Sequence, residues 1–117
     1  MKVYIAGKIT GEPNYKANFQ RGADAMKIEG HTVLNPARLP EGMAPADYMK
    51  ICFSMIDVAD AVAFLPGWHS SRGAGLEYEY CLYIGRQVMF LENRPSFLAI
   101  DALREYVANS DGKGAEK

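Results

Sequence analysis

The residues able to do chemistry concentrate in one stretch, Gly67-Trp68-His69-Ser70-Ser71-Arg72-Gly73, followed four positions on by Glu77. Its small residues let backbone approach a ligand, its hydroxyls can cap a helix, and Arg72 adds a guanidinium suited to phosphate geometry. Simple helix capping by one serine explains the same residues, and both readings can hold together. Glu77 falls in the opening turns of the helix expected from about Arg72. The apolar positions Ala74, Tyr78, Cys81, Leu82 and Gly85 recur at helical spacing, which leaves Glu77 off that stripe and facing a crevice. A helix N-terminus favours the ionised carboxylate, and an ionised, positioned carboxylate can act as nucleophile or base. A lone helical acid is otherwise ordinary solvated surface.

A second glycine-bounded turn, Gly7-Lys8-Ile9-Thr10-Gly11, follows the opening apolar run. It lacks the spacing of a Walker loop and of a dinucleotide fingerprint, so ATP-driven and NAD-dependent chemistry lose weight. Backbone N–H groups with Lys8 and Thr10 suit a phosphate or sugar contact, and a tight turn with a solvated lysine is the alternative. Tyr4 and Trp68 could frame a sugar or stack on a base, or serve as packing. His31 and His69 have no third ligand at recognisable spacing, so neither a metal nor a cofactor is expected. Asp57 and Asp60, flanking a strand start, read as capping and turn residues.

These turns need elements to hold them. Lys2 to Ala6, His31 to Asn35, Asp60 to Leu65 and Gln87 to Leu91 read as strands, the third a continuous apolar run of the kind buried on both faces. Between them, Asn14 to Glu29, Pro45 to about Val58 and the helix from Arg72 carry helical periodicity. In the first, Tyr15, Phe19, Ala23 and Met26, with Ala25 and Ile28, point inward, and Gly30 ends it. Ser96 to Ala108 closes the fold with Phe97, Ile100, Leu103, Tyr106 and Val107 available for packing. The aperiodic loop from Pro36 to Ala44, with two prolines and a glycine, is a candidate lid.

Alternation of strand and helix predicts a three-layer, flavodoxin-like or Rossmann-like open parallel sheet of four to five strands with helices on both faces. With the first strand central, the loops at Gly7 and Gly67 lie side by side at the switch point and share one pocket. The 117 residues are expected to form one domain over residues 1–108, with a flexible polar tail over residues 109–117.

Composition narrows the partners. A formal net charge of -1 and a pI near 6.1 argue against a nucleic-acid polymer or an anionic membrane surface. No apolar run reaches the roughly 20 residues of a membrane span, and the opening Met1-Lys2 leads straight into a strand without a signal-like segment. Cys52 and Cys81 lie among apolar neighbours and read as reduced core thiols, hence a cytoplasmic protein.

Three segments together resemble the nucleoside 2-deoxyribosyltransferase superfamily: Lys-Val-Tyr-Ile-Ala-Gly at the start, Gly30-His31 to Asn35-Pro36, and Asp60-Ala-Val-x-Phe-Leu-Pro-Gly-Trp with Ser71-Arg72-Gly73-Ala74-x-x-Glu77. The likeness covers roughly residues 2–92 and is closest to a small phage and bacterial branch. Its Ser-x-Gly-x-x-x-Glu element is shared with the 2'-deoxynucleoside 5'-phosphate N-hydrolases.

The resemblance implies that Glu77 is the nucleophile attacking C1' of deoxyribose and that Tyr4 orients it. It places a phosphate-binding loop on Gly7 to Gly11 and a serine near the 5'-phosphate on Ser71. With the turn itself, the implied binding set is Gly7, Lys8, Thr10, Gly11, Gly67, Trp68, Ser70, Ser71, Arg72 and Gly73. In the transferases an aspartate stands where this chain has Ser71, and a second family aspartate is replaced at Cys52. The resemblance also implies a homodimer or larger homo-oligomer. The expected function is cleavage or exchange of the N-glycosidic bond of a deoxyribonucleoside or its 5'-monophosphate, with a catalytically inactive nucleotide-binding or signal-sequestering protein as the alternative.

Overall fold

The computed structural model describes residues 1–106 of the chain. The expected tail and the last residues of the expected closing helix lie outside the described residues. Four strands, β1 (Lys2–Ala6), β2 (Thr32–Leu34), β3 (Ala61–Phe64) and β4 (Gln87–Phe90), form one sheet in the order β2-β1-β3-β4. All three pairings are parallel. The helices are α1 (Tyr15–Ile28), α2 (Pro45–Val58), α3 (Arg72–Ile84) and the short α4 (Pro95–Leu98), after which the chain is helical again over residues 100–106. This is the three-layer flavodoxin-like architecture that the alternation of elements predicts.

Alternation along the strands decides which side chains meet which helices. Val3, Ile5, Ala61, Ala63 and Leu65 face a core shared with Phe19, Ala25 and Met26 of α1 and with Ile100. Tyr4, Ala6, Val62 and Phe64 face the opposite core, with Cys52 and Ile56 of α2 and Cys81 of α3. Tyr4 thus lies on the α2–α3 side of the sheet, between neighbours that point the other way.

The ends of the elements follow local chemistry. Pro45 opens α2 and Pro95 opens α4, where a missing N–H costs nothing. Ser71 caps α3 by accepting from the Ala74 N–H at 3.2 Å. Asp60 accepts from the Lys2 N–H at 2.8 Å, while its own N–H donates to the Lys2 carbonyl at 2.8 Å, tying β3 to β1 at their amino ends. At the same end Glu29 accepts from Arg94 and from Ser96, joining the exit of α1 to the entry of α4.

Several expectations change in detail. Within α3, Leu82 is 59 % exposed while Glu77 is only 6 % exposed. At about 100° per residue, Glu77 sits three positions after Ala74 and four before Cys81, so these three share the buried face. Leu82 falls beside it rather than on it. Gly85 is the left-handed cap of α3 rather than a packing position. Ile28 lies largely exposed in the last turn of α1, and Tyr106 is exposed beyond α4. The closing helix is interrupted at Ala99. The Pro36 to Ala44 loop carries a short turn of tight helix at Pro36–Arg38, with Pro36 and Ala37 buried, so its first part is anchored to the fold.

Gly7 is where the fold and the crevice meet, because a Cβ there would stand 2.8 Å from Leu65 Cδ1 and 3.1 Å from Leu65 Cβ. Its smallness serves close packing of the β1 exit on Leu65. Gly7→Ala should therefore lower unfolding stability by about 1–3 kcal/mol, measured by urea denaturation. An unchanged midpoint would mean that Leu65 yields freely.

Candidate active site

The site is built on the α2–α3 side of the sheet. Tyr4 on β1 and Glu77 in the second turn of α3 are 73 positions apart, and the Tyr4 hydroxyl donates a hydrogen bond to Glu77 Oε2. Among the described residues Glu77 is the one buried charged side chain, and its other oxygen, Oε1, takes no hydrogen bond. Burial pushes the Glu77 carboxyl up to about 7, against the opposing pull of the hydrogen bond from Tyr4. Desolvation therefore outweighs the helix N-terminus, which by itself favours ionisation. At neutral pH the group is poised between its two forms.

The surroundings of the pair are sulfur and hydrocarbon. The Cys52 side chain of α2 is packed in the same core cluster as Tyr4. Cys81, one turn beyond Glu77, is also buried, and both thiols are free. Burial first, then the nearby Glu77 carboxylate, hold the Tyr4 hydroxyl well above its usual range. Burial likewise raises the Cys81 thiol to about 11. Neither thiol competes with Glu77 as the group that ionises near neutrality. Cys52, read in the sequence as a core thiol and as a departure from a family pattern, is buried beside the pair.

The other expected residues are distributed differently. A cavity of about 370 Å³ opens where the loops after β1 and β3 run side by side, and both loops line it, through Lys8 and through Gly67 and Ser70. Tyr4, Glu77, Thr10, Gly11, Trp68, Ser71, Arg72 and Gly73 do not line it. The cavity lies toward α1, with Asn18 and Arg21 on its wall, whereas Tyr4 points to the α2–α3 core. The two loops do share a pocket, but the Tyr4–Glu77 pair is across the sheet from it.

Trp68, expected over a base, packs in an aromatic cluster, its ring centroid 4.7 Å from Tyr78 and 4.9 Å from Phe64. Ser70 donates to the Gly67 carbonyl at 2.9 Å, and Ser71 is engaged as the α3 cap. Gly67 and Gly11 are left-handed, with φ of +81° and +77°, and turn their loops where another residue would be strained. Thr10 and Arg72 are exposed and Gly73 is half-buried. Asn18 and Arg21 are absent from the residues singled out in the sequence, and Phe97 is among them only as a packing residue. The available signal was a pair of polar residues three apart in the opening turns of a helix whose other face is core.

Among the described residues no group of three or more His, Cys, Asp or Glu side chains is placed to hold a metal ion, and no helix is long and apolar enough to cross a membrane.

The fold is a doubly wound α/β sheet with a tyrosine-bound glutamate buried on the α2–α3 side of its β1–β3 switch point. The chain belongs to the family described as "Domain of unknown function (DUF4406)", whose model matches residues 1–90. It is also 26% identical over 109 residues to a protein of Thermofilum pendens (strain DSM 2475 / Hrk 5) named "Putative 2'-deoxynucleoside 5'-phosphate N-hydrolase 1", covering 88% of this chain and 76% of that one. Both findings agree with the relationship to the nucleoside 2-deoxyribosyltransferases read from the sequence. No solved structure matches the chain.

The Glu77 titration has a direct consequence for stability. The carboxyl titrates near 7 in the folded chain against 4.5 for an ordinary one, so the native state holds the proton more tightly. Its contribution is fully present below the unfolded value and is lost as pH rises through about 7. Between about pH 5 and about pH 8 the wild type should lose about 2–3 kcal/mol relative to Glu77→Gln, measured by urea unfolding of both proteins across that range. Parallel curves would show that Glu77 is not held protonated by burial.

Proposed function

We propose that this protein cleaves the N-glycosidic bond of a deoxyribonucleoside 5'-monophosphate, with Glu77 as the nucleophile. The observation that carries the reading is the buried Glu77 carboxylate held through Oε2 by Tyr4, with Oε1 left unbonded. One oxygen is fixed by its hydrogen bond, and the other is available to a carbon centre.

In the first step Glu77 Oε1 bonds to C1' as the C1'–N bond breaks through an oxocarbenium-like transition state. The bond's electron pair leaves with the base, which takes a proton from water. In the second step water attacks C1' and gives its proton to the hydroxide left by the first step, the ester bond breaks, and Glu77 leaves as a carboxylate with 2-deoxyribose 5-phosphate as product. An acceptor base in place of water would give exchange instead. Tyr4 holds the carboxylate in a single orientation while the sugar approaches. The exposed Arg72, at the first turn of α3, is the cation this reading assigns to the 5' end. The relative's name, which specifies a 2'-deoxynucleoside 5'-phosphate, supports this substrate class.

A second reading, binding without turnover, draws on the surroundings of the pair. Cys52 contacts Tyr4 where the family likeness expects an acid, and Ser71 is engaged as a helix cap, so neither supplies a proton to a leaving base. Such a protein would bind nucleotides and release no base.

The test is chromatographic, with purified protein incubated with each deoxyribonucleoside and its 5'-monophosphate. Wild type should release free base from monophosphates, Glu77→Gln should lower the rate by at least about a thousandfold, and Tyr4→Phe by about a hundredfold. Because the nucleophile must be ionised, kcat/KM should rise with pH through about 7 and level off above it. Intact substrate after prolonged incubation at high enzyme would overturn the catalytic reading and favour binding alone.

A further inference from the structure

Tyr4 and Glu77 are both buried and neither lines the cavity, so a ligand reaches Glu77 only when part of its cover moves. Two irregular segments pack on the core that holds the pair, one through Trp68 and one through Leu39. Trp68 is pinned among the rings of Phe64, Tyr78 and Phe90. Leu39 is held less firmly. It is half-buried at the head of residues 39–43, which form neither helix nor strand, and Pro40, Glu41 and Gly42 after it are exposed. A segment with so few buried contacts opens at a lower free energy than the elements beneath it.

Two sets of contacts hold this segment, one on each face of the sheet. On the α2 side the Tyr48 hydroxyl donates to the Pro40 carbonyl at 2.5 Å and accepts from the Met43 N–H at 3.3 Å, so one side chain grips the segment before and after its turn. On the α1 side Glu41 Oε1 accepts from the Tyr15 hydroxyl at 3.3 Å and lies 3.4 Å from Lys16 Nζ. Between the two holds Gly42 turns the chain with a φ of +89° and open space around it. The Lys16–Glu41 pair is exposed, so it is weak and screened by salt. The α1 hold is therefore the one that lets go first.

We propose that residues 39–43 form a strap over the Tyr4–Glu77 core, with Leu39 as its plug, Glu41 as a releasable latch on α1 and Tyr48 as its clamp on α2. Loss of the Glu41 contacts frees the tip, and loss of the Tyr48 contacts then lets Leu39 withdraw and opens a path to Glu77. The inference rests on the reading of Glu77 as the group a ligand must reach. Cys52 lies one turn after Tyr48 on the same side of α2, in the core that Leu39 covers, so its thiol reports the opening.

The experiment is iodoacetamide labelling of the full chain, read thiol by thiol by peptide mass spectrometry. Cys81, fully buried under α3, reports global unfolding. Cys52 should be labelled at least about tenfold faster than Cys81, because the strap opens without unfolding the sheet. Glu41→Ala should speed Cys52 about threefold, and high salt should do the same to the wild type while adding nothing in Glu41→Ala. Tyr48→Phe should speed it about tenfold. Cys81 labelling and the urea midpoint should not change in Glu41→Ala, whose exposed side chain keeps the test clear of a folding defect in Tyr48→Phe. One common rate for both thiols, or a Cys52 rate indifferent to Glu41 and Tyr48, overturns the strap. Labelling needs no turnover, so the expected pattern in a wild type that releases no base would overturn only the glycosidic reading. Base release beside a Cys52 rate insensitive to both substitutions would overturn only the strap.

Discussion

Burial of one carboxylate against one tyrosine is the constraint on which this molecule turns. An acid removed from water raises the free energy of its charged form, and the single hydrogen bond from Tyr4 offsets only part of that cost. The fold surrounds the pair with groups that stay neutral, the Cys52 and Cys81 thiols and the apolar faces of α2 and α3. The outcome is a carboxyl titrating near 7, the value expected of a group that changes protonation state at working pH. Without the α2 helix over β1, Tyr4 and Glu77 would both be wet, and the carboxyl would be an ordinary surface acid.

The sheet topology divides the molecule's polar chemistry in two. Because β1 and β3 are neighbours and their following helices depart to opposite faces, the loops after them meet at one edge while their side chains serve different cores. Lys8 and Arg21 end up on the α1 side, and Tyr4 and Glu77 on the α2–α3 side. Leu65 stands behind this division, packed so close to Gly7 that a Cβ at that position would force it to shift. The aromatic cluster of Phe64, Trp68, Tyr78 and Phe90 then stiffens the β3–α3 connection on the Glu77 side.

Much of this was legible in the residues. The short apolar runs at Tyr4 and Val62, bounded by glycine and proline, read as buried parallel strands, and that punctuation located the turns within a residue or two. Glu77 was harder. A carboxylate normally belongs to solvent, which favours a stripe through Leu82 and Gly85, although the spacing from Ala74 and to Cys81 puts Glu77 on the inner face. The pairing with Tyr4 spans 73 positions and depends on the sheet order, which periodicity alone does not supply. Trp68 was ambiguous because an aromatic beside a crevice can cover a ligand or fill a core, and its packing against Phe64, Tyr78 and Phe90 comes from tertiary structure that spacing does not supply. Arg21 was harder to place because its Phe97 partner lies on the closing helix, which periodicity does not dock onto α1.

The central claim, that the Tyr4–Glu77 pair is a nucleophile, is tested most directly by intact-protein and peptide mass spectrometry after reaction with a 2'-fluorinated deoxyribonucleoside 5'-monophosphate above pH 7, where Glu77 is ionised. The account predicts one added sugar phosphate per chain, carried by the peptide containing Glu77 and absent from Glu77→Gln. Free base released with no adduct on that peptide, or an adduct that persists in Glu77→Gln, would contradict it.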